Sequence, residues 1–162
     1  MNAEHFSSPE FEDPLSNYDP PKYADGLAET LSETAVSAMW LIPFAEVSPE
    51  ATIQQAVQAL AGLGVSSLLV MEHGRLIGIV TERDILARVA DQYDALRNQP
   101  VRSVMTANPV VVYEDSPCAS ALSAIAASGY RHVPVLDAQD RVVGMASPRR
   151  VFQFLQKQLV HC

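Results

Sequence analysis

Gly78-Ile79-Val80-Thr81-Glu82-Arg83-Asp84 closes one apolar run and opens a helical one, and Gly144-Met145-Ala146-Ser147-Pro148-Arg149-Arg150 does the same 66 positions later. Upstream of these stretches the correspondence continues. Gly64 aligns with Gly129, Leu60 with Ile125, Ala56 with Ala121 and Val47 with Val112, each pair 65 positions apart. The step from 65 to 66 places one inserted residue between Met71-Glu72-His73-Gly74-Arg75 and Leu136-Asp137-Ala138-Gln139-Asp140-Arg141. A block repeated at this length implies two similar units that bury their apolar faces against each other. Function is then sought at the seam, and the differences between the copies show where.

Each copy reads β-α-β-β-α. In the first, Val47 lies in a short strand and Thr52-Ile53-Gln54-Gln55 has the form of a capping box. Ile53, Ala56, Val57, Leu60 and Ala61 share a helix face, which Gly62 and Gly64 end. Val65–Met71 reads as a buried strand, His73-Gly74 as a turn and Leu76–Val80 as the antiparallel partner. Thr81 caps a second helix carrying Ile85, Leu86 and Val89. In the second copy, Cys118, Ala121, Leu122, Ile125 and Ala126 form the helix face. Val133–Leu136 and Val142–Ala146 make the hairpin, and Val151, Phe152 and Leu155 lie on the last helix.

Ahead of the repeats, residues 1–23 mix Pro9, Pro14, Pro20 and Pro21 with acids, serines and scattered aromatics, the pattern of an extended or disordered arm. Leu27, Leu31, Ala35 and Ala38 then predict a short helix. The units are thus an acidic arm with a short helix (1–35), a first repeat (36–98) and a second (99–162). Eight acids against Lys22 alone put seven of the eight net negative charges in residues 1–35, and the repeats are nearly neutral. No basic stripe suits a nucleic acid backbone. No apolar run approaches 18 residues, and Met1-Asn2-Ala3-Glu4-His5 has no signal-peptide character, so a cytoplasmic protein with no membrane partner is expected. Two cysteines make no disulfide framework.

Four stretches resemble the cystathionine β-synthase (CBS) domain, which occurs as tandem pairs. They are Val101-Arg102-Ser103-Val104-Met105-Thr106, Val65–Val70, Gly129-Tyr130-Arg131-His132-Val133-Pro134-Val135, and above all Gly78–Asp84. The likeness runs from Val36 to Leu159. It implies an α/β (α+β) fold in which two repeats pack about a pseudo-twofold axis, as in a stand-alone Bateman-type module. It also implies two clefts, an adenosyl ligand (AMP, ADP, ATP, NAD or S-adenosylmethionine) in those members that bind one, a homodimer and no catalysis.

On that resemblance the first cleft joins Gly78, Ile79, Thr81, Arg83 and Asp84 to a wall of Val110, Val111, Val112, Tyr130, Arg131, His132, Val133 and Pro134. Thr81 and the helix start suit a phosphate, and Asp84 can accept from two ribose hydroxyls. Thr81-x-x-Asp84 is equally a plain helix cap, worth about 1 kcal/mol and needing no ligand. In the second cleft Arg150 replaces the acid and offers donors only. There Ser147, Arg149 and Arg150 are expected opposite Ser66 and Ser67, as an empty remnant, as a phosphate site or as a salt-bridge partner of the acidic tail.

No metal-ligand spacing joins His5, His73, His132 and His161, and Cys118 falls on a core face. No cofactor is required by any motif. Two functions remain: a module that senses an adenosine nucleotide and signals to a partner protein, or a structural module that only dimerises. Phe152, Phe154, Leu155, Ile85 and Leu86 are the expected dimer contacts.

Overall fold

Thr52 and Gln55 open the first long helix by exchanging two hydrogen bonds. Thr52 Oγ1 accepts from Gln55 N–H at 3.2 Å, and Gln55 Oε1 accepts from Thr52 N–H at 2.8 Å. A computed structural model of the chain describes residues 26–39, 41–129 and 131–160. The expected arm over residues 1–23, and Tyr130, lie outside them. The capped helix α2 (Ile53–Leu63) follows α1 (Gly26–Glu33) and β1 (Glu46–Val47), and ends at Gly64 in the left-handed conformation, φ 62°. Then come β2 (Ser67–Glu72), β3 (Arg75–Thr81), α3 (Glu82–Arg88) and α4 (Tyr93–Leu96). The second unit contains β4 (Thr106–Ala107), β5 (Val112–Tyr113), α5 (Cys118–Ser128), β6 (Val133–Leu136), β7 (Val142–Ala146) and α6 (Pro148–Val160). Gly129 ends α5 with φ 66°, matching Gly64.

The two hairpins differ at the inserted residue. His73 and Gly74, both at positive φ, turn β2 directly into β3, as a two-residue primed turn requires. In the second unit Leu136 pairs with Val142 across a longer loop. Asp137 ties that loop down, accepting from the N–H groups of Gln139 and Arg141, both at 2.9 Å, and from Arg141 Nε at 2.8 Å. The backbone N–H of Arg141 leads in holding the Asp137 carboxyl below its ordinary range.

Strands order as β1-β2-β3-β4 in one sheet and β5-β6-β7 in the other. β1 runs parallel to β2 and β5 parallel to β6, and the remaining pairs are antiparallel. The segment leading into each repeat, however, packs on the other one. β4, in the leading segment of the second repeat, pairs with β3 of the first through Gly78↔Ala107 and Ile79↔Thr106. Reciprocally, Ile42 bridges Met145 of β7, exchanging two N–H···O bonds of 3.1 Å. The same offset recurs in two further bridges, Ala35 with Pro117 and Pro100 with Thr52. The predicted helix over Leu27–Ala38 therefore stops at Glu33. Ala35 is extended at that bridge, and Val36–Ala38 form a single 3-10 turn.

This exchange shapes the cores. Val101 and Val104 pack with Ile53, Leu60, Leu68, Val70 and Val80 of the first repeat. Val36 and Met39 pack with Val112, Cys118, Ala121, Val133, Val135 and Val151 of the second. Packing thus crosses the unit limits drawn from the repeat at residues 36 and 99. A third cluster, Leu69, Ile79 and Met145, lies at the seam. Leu68 and Val70 face the first core while Leu69 faces the seam, so β2 is apolar on both sides, as a doubly covered strand must be. Gly78 and Gly144 mark where the leaders cross. A Cβ on Gly78 would meet the Met105 side chain, and one on Gly144 would lie 2.8 Å from Leu41 Cβ.

Three of the expected dimer contacts face inward. Phe154 is buried in the second core, and Leu155 and Ile85 pack against their own repeats. Leu86 and Phe152, 72% and 68% exposed, remain on the surface at equivalent positions of α3 and α6.

Candidate functional site

The two helices that follow the hairpins begin at the mouths of two cavities beside the seam. The first cleft, about 500 Å³, is lined by Thr81, Glu82, Arg83 and Leu86 from the start of α3, by Gly129, Arg131 and His132, and by Ser66. Both repeats therefore contribute to one cavity. The second, about 530 Å³, is lined by Ser147, Pro148, Arg149, Arg150 and Gln153 from the start of α6, with Ile42, Arg131 and His132. A third, of about 200 Å³, holds Ser66, Ser67, Gly64, Phe44, Met145 and His132 among its walls. Arg131 and His132 border both large clefts, because the loop after α5 reaches the seam between them.

Four of the expected first-cleft residues line it: Thr81, Arg83, Arg131 and His132. Most of the others serve the fold. Gly78 lies against the Met105 side chain. Ile79 is wholly buried in the seam, and Val112 and Val133 lie in the second core. Pro134 is buried within β6, while Val110 and Val111 precede β5 away from the cavity wall. Tyr130 is outside the described residues. In the second cleft Ser147, Arg149 and Arg150 are placed as expected, but the opposing wall differs. Arg131 and His132 face them, whereas Ser66 lines the first cleft and, with Ser67, the third cavity.

Asp84 is 6% exposed and closes the cap. Its Oδ2 accepts from Thr81 Oγ1 at 2.7 Å and from Thr81 N–H at 2.9 Å, while Thr81 Oγ1 accepts from Asp84 N–H at 3.2 Å. Its Oδ1 faces Arg88 Nη2 at 3.4 Å, and Arg88 Nη1 donates to the Val104 carbonyl at 2.7 Å. Glu82 N–H donates to the Ser66 carbonyl at 3.0 Å. The N–H groups of Thr81, Glu82 and Asp84 are thus committed within the protein. With α3 only seven residues long, its start is no ready phosphate cradle. Charge in this cleft comes from Arg83 and Arg131, with Glu82 opposed.

His132 sits where the cavities meet, with Nδ1 3.2 Å from Ser66 Oγ of the other repeat. Burial first, and the Arg131 charge second, lower its pKa below the ordinary imidazole value, so the ring is neutral at pH 7. The sequence reading missed Leu86, which adds apolar surface to the first cleft, and Ile42, which adds it to the second. Ile42 carries no local signal, since its place depends on the leader exchange. Among the described residues, no group of three or more His, Cys, Asp or Glu could hold a metal ion. No helix there is long and apolar enough to cross a membrane.

Paired β-α-β-β-α units with a cleft on either side of the seam define a tandem α/β module. Residues 41–91 and 101–157 each match the family model of the CBS domain. The chain belongs to the CBS domain family. A 17.7 kDa protein of Acidianus ambivalens is 30% identical over 124 residues, 76% of this chain and 71% of that protein. The CBS domain-containing protein CBSCBSPB5 of Arabidopsis thaliana is 33% identical over 110 residues, 67% of this chain but 20% of that protein. Among solved structures, the CBS domain pair of protein MJ0100, in complex with 5′-methylthioadenosine and S-adenosyl-L-methionine, is 25% identical with a TM-score of 0.64. That match covers 77% of this chain and 98% of the other.

Proposed function

We propose that this chain is a non-catalytic regulatory module that binds an adenosyl ligand in the first cleft and signals its occupancy to a partner protein. The carrying observation is the cavity of about 500 Å³ to which both repeats contribute, with Arg83, Arg131 and His132 beside Leu86. That volume falls within the range of small-molecule sites. In this reading Leu86 covers the base and the two arginines take the anionic group. Asp84 accepts from the ribose through Oδ1 in place of Arg88. The adenosyl ligands of the MJ0100 pair support this class. Occupancy shifts how the repeats pack, because Arg131 and His132 lie at their junction.

Calorimetric titration with S-adenosylmethionine, 5′-methylthioadenosine and AMP tests the reading. A ligand at 100 times its dissociation constant adds about 2.7 kcal/mol of stability, which a thermal shift also detects. Asp84→Ala is expected to weaken binding by about 1.5–3 kcal/mol, the worth of hydrogen bonds to a charged group. Arg150→Ala, in the other cleft, leaves it nearly unchanged. Flat titrations with all three ligands overturn the proposal. A second reading, a module that acts by dimerising, is favoured by the exposure of Leu86 and Phe152 at equivalent places. We propose a homodimer through these side chains. Light scattering is then expected to give twice the chain mass of 17.6 kDa, and to give the single mass for Phe152→Glu.

A further inference from the structure

The first helix aims the chain ahead of it at the first cleft. The Thr34 carbonyl accepts from Cys118 N–H at 2.8 Å, so α1 ends where α5 begins. The two helices pack along one another, with Leu31 of α1 against the core that Leu122 and Ile125 of α5 also border. α1 therefore runs back along α5, about 12 Å of it against about 16 Å. Gly26, its first residue, is directed towards the loop after α5 that carries Arg131 and His132 to the cleft. Residues 1–25 hold Glu4, Glu10, Glu12, Asp13, Asp19 and Asp25 against Lys22.

The cleft mouth complements one stretch of that segment. Arg83 and Arg131 are exposed there, and among the described residues neither forms an ion pair. Leu86, 72% exposed, stands beside them. Two cations next to an apolar side chain suit an acidic peptide with an aromatic residue. Glu10-Phe11-Glu12-Asp13 is the densest acidic run in residues 1–25, and an aromatic lies within it. The twelve residues between Asp13 and Gly26 span up to about 40 Å at about 3.3 Å each, more than the length of α5. Glu82 opposes docking, and a single exposed ion pair is weak. Several pairs on one tether act together at an effective concentration in the millimolar range. We propose that Glu10-Phe11-Glu12-Asp13 docks across the first cleft of its own chain, with carboxylates on Arg83 and Arg131 and Phe11 on Leu86, and so competes with an anionic ligand. The competition rests on the adenosyl reading of that cleft. The docking does not, so the two fail separately.

Zero-length carbodiimide coupling of the full chain tests the docking. In Arg131→Lys the new amine keeps the charge, and peptide mass spectrometry is expected to find it joined to Glu10, Glu12 or Asp13. Arg75→Lys, at the far end of β3, is expected to give no such product. In a mixture of 15N-labelled and unlabelled chains the joined peptides should carry one isotope only. Titration with AMP tests the competition. The combined Glu10→Gln, Glu12→Gln and Asp13→Asn variant should bind AMP more tightly than the wild type by about threefold or more at ~0.02 M ionic strength. The two should agree at ~0.5 M, where surface charges are screened. Glu4→Gln with Asp19→Asn, which leaves the docking run intact, should change the affinity by less than about twofold. No coupling at position 131, equal coupling at position 75, or products of mixed isotope would overturn the docking. AMP bound equally by wild type and the combined variant at low salt would overturn the competition. Flat AMP titrations of both proteins count against the adenosyl reading, and the coupling then decides the docking by itself.

Discussion

Thr81-Glu82-Arg83-Asp84 and Ser147-Pro148-Arg149-Arg150 begin helices at equivalent points, beside clefts of about 500 and 530 Å³. One carries an acid that closes its own cap, and the other carries an arginine that reaches a cavity wall. The apolar framework behind them is the same in both. Fold and site are therefore specified by different residues within one short stretch. Core positions keep their spacing, and the polar positions between them decide what each cleft can hold.

The largest expected effect falls on the framework that both clefts share. Ile79 is wholly buried at the seam with Leu69 and Met145. Ile79→Ala is expected to cost about 2–5 kcal/mol, the range for emptying a core site. A urea melt measures this. A loss near zero would show that the seam is loosely packed and that the two clefts move independently.

A smaller effect compares the two glycines where the leaders cross. A Cβ on Gly144 lies 2.8 Å from Leu41 Cβ and 3.3 Å from the Ile42 carbonyl, so the leader itself must shift. At Gly78 the nearest obstacle is the end of the Met105 side chain, which can rotate away, with the Thr106 carbonyl at 3.1 Å. Gly144→Ala should therefore cost about 1–3 kcal/mol, as overpacking does, and Gly78→Ala less. Equal costs in urea denaturation would mean that both leaders yield alike.

Local features were the legible ones. The Thr52–Gln55 box, the Gly64 and Gly129 stops and the His73-Gly74 turn each depend on neighbours within a few residues. The leader exchange was not legible. Periodicity tells which face of a strand is buried, not which sheet covers it, so Val36 and Val101 read as parts of their own repeats. The burial of Ile79 was hidden for the same reason: it depends on Met145, in the other sheet. For Asp84 the pattern admitted both a cap and a ribose acceptor, and only the geometry shows Oδ2 turned to Thr81.

The smallest effect concerns the residue that borders both clefts. His132 has its pKa lowered by burial and by the Arg131 charge. Above the ordinary value of about 6.5 the ring is neutral in both the folded and unfolded chain and contributes nothing to pH dependence. As pH falls through that value the unfolded chain takes up a proton before the folded one does, so stability declines. The decline ends once pH passes below the lower, folded-state pKa. His132→Gln should remove this part of the slope. Arg131→Ala should reduce it by less, because burial is the larger cause. Urea midpoints at pH 7.5, 6.5 and 5.5 on the three proteins measure the difference, and an unchanged slope in His132→Gln would place the proton uptake elsewhere.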